Sequence, residues 1–388
     1  MGGSTLDKIP SKWRLSSKDL ERAPQQRDIT GSFIEQFLDE ETISITSLKT
    51  VRVLKALSER QLTATRVVTA FCQRASVAHQ INNCLHEIFF DQALGRARYL
   101  DDYYAENGKP LGPLHGLPIS LKDQFHVKGV DTTMGYVGWI GRNLGITDPD
   151  KTHKVESQIV SELLSLGGVF FCKTSLPQTL LFGETKNNII GQTLNPINQG
   201  LSCGGSSGGE AALMALGGSS IGVGTDIGGS LRIPAGFCGY VSVNDWIHGH
   251  GGFLSADGEH DVHQHLDQSG EPLIPDLQDG FKLKTPTELL NYQDLTLQGL
   301  EYERGYSDYW NATGESDGQV VDAVLMPVAP HAAAIPGKFY HGAYTDAMNL
   351  TDYTVVVIPT VRADKKVDVF DEGYEPLGDT DIFEGGVR

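Results

Sequence analysis

The chain has 388 residues, 39% of them hydrophobic and 21% charged, with a formal net charge of −18. This composition describes a soluble, folded chain large enough to bury a core and enclose a pocket, and it excludes a disordered one. The negative balance argues against nucleic acid and against an anionic membrane as partners, because both call for a basic surface.

The N-terminus has no apolar core of the kind a signal peptide carries, and Leu6 breaks the myristoylation pattern that Met1-Gly2 begins. No apolar run approaches the roughly 20 residues of a membrane span, so the cytoplasm is the expected location. The five cysteines, Cys72, Cys84, Cys172, Cys203 and Cys238, form no CxxC pair. They read as buried free thiols in a reducing compartment.

To about residue 45 the chain is polar and weakly periodic, which predicts a segment wrapped over the surface of the rest. After Thr63, the positions Ala64, Val67, Val68, Phe71, Cys72 and Ala75 recur three and four apart, as one face of a helix requires. A second helix follows Asp91, with Ala93, Leu94, Ala97 and Leu100 inward. From Leu117 the period changes to two. Leu117, Ile119 and Leu121 alternate with Pro118, Ser120 and Lys122, so a strand would carry Ser120 and Lys122 on one face and Asp123 on the other. A helix from Val155 to Leu164 is stopped by Gly167-Gly168, and Val169–Phe171 reads as the next strand. A helix over Glu210–Leu216 and strands over Ser219–Val223, Ala323–Met326 and Thr354–Ile358 complete an α/β alternation. From Asn244 to Gly280 the chain is polar and His-rich, with no clear period, and reads as a solvated loop.

Chemistry concentrates in two glycine-rich runs, Ser202–Glu210 and Gly224–Arg232, within a stretch holding seventeen glycines between Gly200 and Gly258. A flexible Gly/Ser linker is the plain alternative. It fails because the apolar elements Ala211–Leu216 and Ile221–Val223 separate the runs. Glycines instead let backbone N–H groups converge on the oxyanion of a tetrahedral intermediate, with a serine in the same turn placed to attack. A serine hydroxyl needs a base, and no His/Asp pair stands nearby. Lys122 is the candidate, and His115 reads as a turn residue.

Three other motifs do not hold. Gly204-x-Ser206-x-Gly208 fits the GxSxG elbow, which would make Ser206 the nucleophile, but Asn195–Ser202 is no strand. Gly167 to Thr174 nearly spells a P-loop, with Cys172 where glycine is required. Histidines 248, 250, 260, 263 and 265 make no HExxH pair, so no metal is expected.

At these residues the sequence resembles the amidase signature family. The likeness runs through Gly116–Asp123, Lys173–Gln178, the Gly204–Glu210 run and Gly224–Arg232. Its flanks, Ser269–Pro272, Pro327–His331 and Asp371–Pro376, are similar to fungal general amidases. The resemblance implies an α/β fold with a mixed central sheet covered by helices. It implies one domain over residues 46–388 behind an N-terminal surface segment, 1–45. It also implies Lys122 as base, Ser206 as relay after a cis Gly205–Ser206 peptide, and Ser230 as the acylated nucleophile. The substrate would meet Ser206 and the backbone N–H groups of Ile227, Gly228, Gly229 and Ser230, with Asp226 and Arg232 supporting that loop. No cofactor is implied, and the expected partner is a small amide, with self-association left open.

The chain departs from the family in two places. After Val243 it passes almost directly to the segment before Ser269-Gly270-Glu271-Pro272, and it stops near Gly385-Gly386 where relatives continue. A shortened fold is therefore expected. Two rivals to amide hydrolysis follow: a non-catalytic homologue that keeps the site residues, and an amidotransferase subunit.

Overall fold

The computed structural model describes residues 5–244, 251–315, 318–339 and 342–360. Its centre is a helix, α1 (Ala64–Asn82), that begins where the Thr63 side chain accepts from the Arg66 amide and ends at Asn83 in the left-handed region. The inward face of α1 buries Val67, Val68, Phe71, Cys72 and Ala75, each large side chain contributing roughly 1.5–3 kcal/mol. Strand β1 (Leu85–Ile88) and helix α2 (Phe90–Asn107) follow, with Gly108 closing α2 in the left-handed conformation. Ala93, Ala97 and Leu100 of α2 are buried as the spacing predicts.

Strand β2 (Pro118–Lys122) is buried at every position, and so is β3 (Val169–Thr174), with helix α3 (Gln158–Ser165) between them. Strand β3 opens on the apolar run Val169–Cys172, while β2 alternates apolar and polar residues, its Ser120 and Lys122 buried with the rest. Helix α4 (Gly208–Ala215) leads to β4 (Ile221–Val223). The strand order is β1-β3-β2-β4, with β2 parallel to β3 and β4, and β1 antiparallel to β3. The sheet is mixed and helix-covered, as expected. Helix α5 (Arg232–Cys238) precedes β5 (Ser242–Asn244), which pairs antiparallel with a distant β6 (Val355–Val357).

Several expectations change. The polar stretch after Asn244 is not all loop: it forms α6 (His260–Asp267), because Val262 and Leu266, four apart, bury against Tyr136 and Trp139. Residues 323–326 form no strand, since Val324 is 54% and Leu325 98% exposed with no pairing partner among the described residues. Helix α3 starts three residues after Val155, and β1 has no counterpart in the sequence reading. Residues before 46 do more than wrap the surface: Ile9, Trp13, Ala23, Ile29 and Ile34 join the main core. The block Asp371–Pro376 and the chain end lie outside the described residues.

Two further helices follow, α7 (Leu289–Ala312) and α8 (Ala343–Leu350). The long α7 has no buried residue, while α8 docks on the glycine-rich loop before α5.

Candidate active site

Lys122 is the last residue of β2 and is only 1% exposed. Its Nζ donates to Ser206 Oγ at 2.7 Å and to Thr225 Oγ1 at 2.8 Å. Burial pushes its ammonium down to about 7, against the pull of Asp226 and Glu210, which favour the charged form. Strand alternation sets the rest of the face. Ser120 donates to Glu210 Oε2 at 2.6 Å, and Thr174 donates to Oε1 at 2.9 Å. Burial raises the Glu210 carboxyl to about 7 despite these bonds. Gly222 makes room for it, because a Cβ there would lie 2.2 Å from Glu210 Oε2.

Asp123 turns away from Lys122, as alternation predicts. It pairs with Lys173 at 3.1 Å and accepts from the Thr133 hydroxyl and amide. Burial alone would raise this carboxyl, but Lys173 and His86 hold it well below the usual carboxylate range.

The two glycine-rich runs are bound to each other through Ser207. Its amide donates to Ser230 O at 2.8 Å and its hydroxyl to Thr225 O at 3.1 Å. The peptide between Gly205 and Ser206 is cis. No strand precedes Gly204, only an isolated bridge between Leu194 and Ser202, so the GxSxG geometry is absent there.

Asp226 organises the second loop. It accepts from the amides of Gly229 (2.7 Å), Leu231 (3.0 Å) and Arg232 (3.1 Å), and from Arg232 Nε (3.0 Å) and Nη2 (2.9 Å). Burial acts to raise its carboxyl, but the Arg232 hydrogen bonds and charge outweigh this and lower it to about 2. Helix α8 clamps the loop from outside. Thr345 Oγ1 donates to Gly228 O at 2.7 Å, and Arg232 Nη2 donates to Thr345 O and to Asn349 Oδ1. Asn349 Nδ2 in turn donates to Asp226 Oδ1 at 3.1 Å. Gly229 sits at φ +118°, and a Cβ there would lie 2.3 Å from Thr345 Oγ1.

Lys122, Ser206 and Ser230 line one cavity of about 390 Å³, with Leu180, Leu181 and Ile227 on its apolar side. Among the described residues no hydrogen bond joins the Ser206 and Ser230 hydroxyls. Of the four amides expected to face an oxyanion, that of Gly229 is already taken by Asp226. Those of Ile227, Gly228 and Ser230 have no acceptor among the described residues. His115 is a turn residue, its Nδ1 accepting from the Leu111 amide. His263 and His265 pack in and around α6, while 248 and 250 lie outside the described residues. Among the described residues no group of three His, Cys, Asp or Glu side chains is placed to hold a metal.

Gln124, Thr225, Glu210, Thr345 and Asn349 escaped the sequence reading. Glu210 had one signal, a charge heading a helix otherwise made of small and apolar residues. Thr225 stood inside the run Gly224–Arg232 without being singled out, and the others had no signal.

The Amidase family model matches residues 66–271. The chain is 31% identical to an acetamidase of Emericella nidulans, over 96% of this chain and 88% of that protein. It is 32% identical to an acetamidase of Aspergillus oryzae at the same coverage. Its fold superposes on a fatty acid amide hydrolase with a TM-score of 0.87 at 23% identity, over 99% of this chain and 87% of that one. A second amidase crystal structure matches with a TM-score of 0.64 at 21% identity, over 82% of this chain and 93% of the other. The chain belongs to the amidase signature family. It is also shortened: 96% of its 388 residues fill roughly three-quarters of the 498 positions aligned with the Emericella nidulans protein. No helix among the described residues is long and apolar enough to cross a membrane.

Proposed function

We propose that the protein hydrolyses the amide bond of a small or aliphatic amide through an acyl-enzyme on Ser230. One observation carries this reading: a buried lysine, lowered to about 7, lies 2.7 Å from Ser206 in the cavity that Ser230 also lines. At neutral pH about half of Lys122 is then uncharged and able to accept a proton, whereas an ordinary lysine is almost wholly charged. Neutral Lys122 takes the proton of Ser206, and Ser206 takes that of Ser230 as Ser230 Oγ bonds to the substrate carbonyl carbon. The amides of Ile227, Gly228 and Ser230 stabilise the resulting oxyanion. The C–N bond then breaks, and the proton returns through Ser206 to the leaving amine. Water attacks the ester by the reverse route, releasing the acid. Ser–Lys arrangements of this type are recognised variants of the serine triad. The Ser206 and Ser230 hydroxyls must approach when substrate binds, in keeping with the looser geometry of empty sites.

The acetamidase relatives and the apolar side of the cavity support a small or aliphatic acyl group. The missing aligned positions favour a second reading, a non-catalytic homologue that retains the site. Treatment with a serine-directed fluorophosphonate followed by mass spectrometry decides between them. The expected adduct is on Ser230 and is lost in Ser230→Ala. An adduct on Ser206, or none, would overturn the proposal.

A further inference from the structure

We propose that Gln124 is a positioning residue for the base: acting through Thr225, it directs the lone pair of neutral Lys122 to Ser206. The inference rests on the proposed function, since it matters only where Lys122 accepts the Ser206 proton.

A neutral lysine amine has two N–H bonds and one lone pair. Its two hydroxyl neighbours, Ser206 at 2.7 Å and Thr225 at 2.8 Å, lie at nearly equal distance. Each hydroxyl carries one proton and can donate to the amine or accept from it. Left alone, the two would compete for the single lone pair, and only the bond from Ser206 is productive. The Gln124 carboxamide removes the competition. Its Oε1 has no proton to give and lies 2.6 Å from Thr225 Oγ1, so the one Thr225 proton is committed to it. Thr225 Oγ1 then presents only lone pairs to Lys122 and is filled by an N–H. Ser206 remains the one donor to the base.

Thr225 is held in place for this role. Its amide donates to Ser207 Oγ at 3.3 Å, and its carbonyl accepts from the same hydroxyl at 3.1 Å. The charged neighbours Glu210 and Asp226 favour the protonated form of Lys122, but neither selects between the two hydroxyls. That selection falls to an uncharged acceptor two residues beyond the lysine.

The test is a double-mutant cycle read as the rate of fluorophosphonate labelling at Ser230, which needs no knowledge of the natural substrate. Gln124→Met removes the acceptor and should slow labelling about tenfold, the worth of roughly one neutral hydrogen bond. In a Thr225→Val background the same substitution should change the rate by less than about twofold, because no Thr225 proton is left to misdirect. Gln124→Ala, a second variant without an acceptor, should show the same dependence on Thr225, with thermal melts verifying that each variant folds. Labelling of Gln124→Met at the unaltered rate would overturn the inference. Equal slowing in both backgrounds would also overturn it, making Gln124 a direct contact of the reagent. In either case normal labelling of the unaltered protein leaves the proposed function standing, whereas failure of the unaltered protein to label overturns both.

Discussion

Between residues 64 and 239 the protein buries charge. Lys122, Asp123, Lys173, Glu210 and Arg232 are all enclosed, and each meets an opposite charge or hydroxyl partners. Between residues 289 and 325 the pattern reverses. Leu289 and Leu290 of α7 are each 71% exposed, Leu297 is 59% exposed, and Leu325 reaches 98%. The match to the Amidase family model ends at residue 271, before α7 begins. Buried charges without partners would cost several kcal/mol apiece, and these five have them, Arg232 with help from Thr345 and Asn349 of α8. The second region presents apolar surface that its own described residues leave uncovered, the kind of surface that promotes association.

Perturbing the satisfied region should have the larger effects. Lys122→Ala should slow labelling of Ser230 by about a thousandfold or more, as loss of a triad member does elsewhere. Circular dichroism should meanwhile report an unchanged helical signal. Labelling at full rate would mean that a different group serves as base.

Asn349→Ala leaves Arg232 and Asp226 each short of a partner. It should cost about 1–3 kcal/mol of stability and slow labelling roughly tenfold to a hundredfold. If denaturant melts and labelling are both unaltered, the Asn349 side chain contributes nothing to holding the loop.

The pH dependence is milder and has a definite sign. Lysine is active when deprotonated, so the rate should rise about tenfold per pH unit below the Lys122 midpoint near 7. It should level off above roughly pH 8. Glu210 favours charged Lys122, so Glu210→Gln should move the midpoint to lower pH. A profile that falls across this range would exclude Lys122 as the base.

The smallest effect is expected from the exposed region. Leu290→Glu combined with Leu297→Glu should reduce self-association in sedimentation experiments while shifting stability by no more than about 0.5 kcal/mol and leaving Ser230 labelling unchanged. Loss of labelling in this variant would couple the two regions and break the contrast between them.

How far the molecule could be read from its sequence follows the same division. The alternation from Leu117 to Lys122 placed Ser120 and Lys122 on one face and sent Asp123 to the other, because a buried strand leaves a side chain only two directions. The spacing from Ala64 to Ala75 located α1 for a similar reason. Helix α6 was missed since only two of its eight residues, Val262 and Leu266, are apolar and buried, too few to establish a period. Residues 323–326 looked like a strand because apolar composition is visible in a sequence and a pairing partner is not. Gln124, Thr345 and Asn349 are ordinary polar residues in sequence. Their importance comes from contacts as distant as the 123 positions between Asp226 and Asn349, and no local pattern carries that information.

The clamp by α8 also sets an order in time. Asn349 and Thr345 follow the loop they hold by 113 to 123 positions. At ribosomal rates of about 5–20 residues per second, the Gly224–Arg232 loop is made roughly 6–24 s before the helix that closes on it. Ser230 therefore emerges before the contacts of α8 with its loop can form. A nascent chain stalled before residue 343 should carry Lys122, Ser206 and Ser230 yet label slowly with a fluorophosphonate, because the α8 contacts that hold the loop are not yet made.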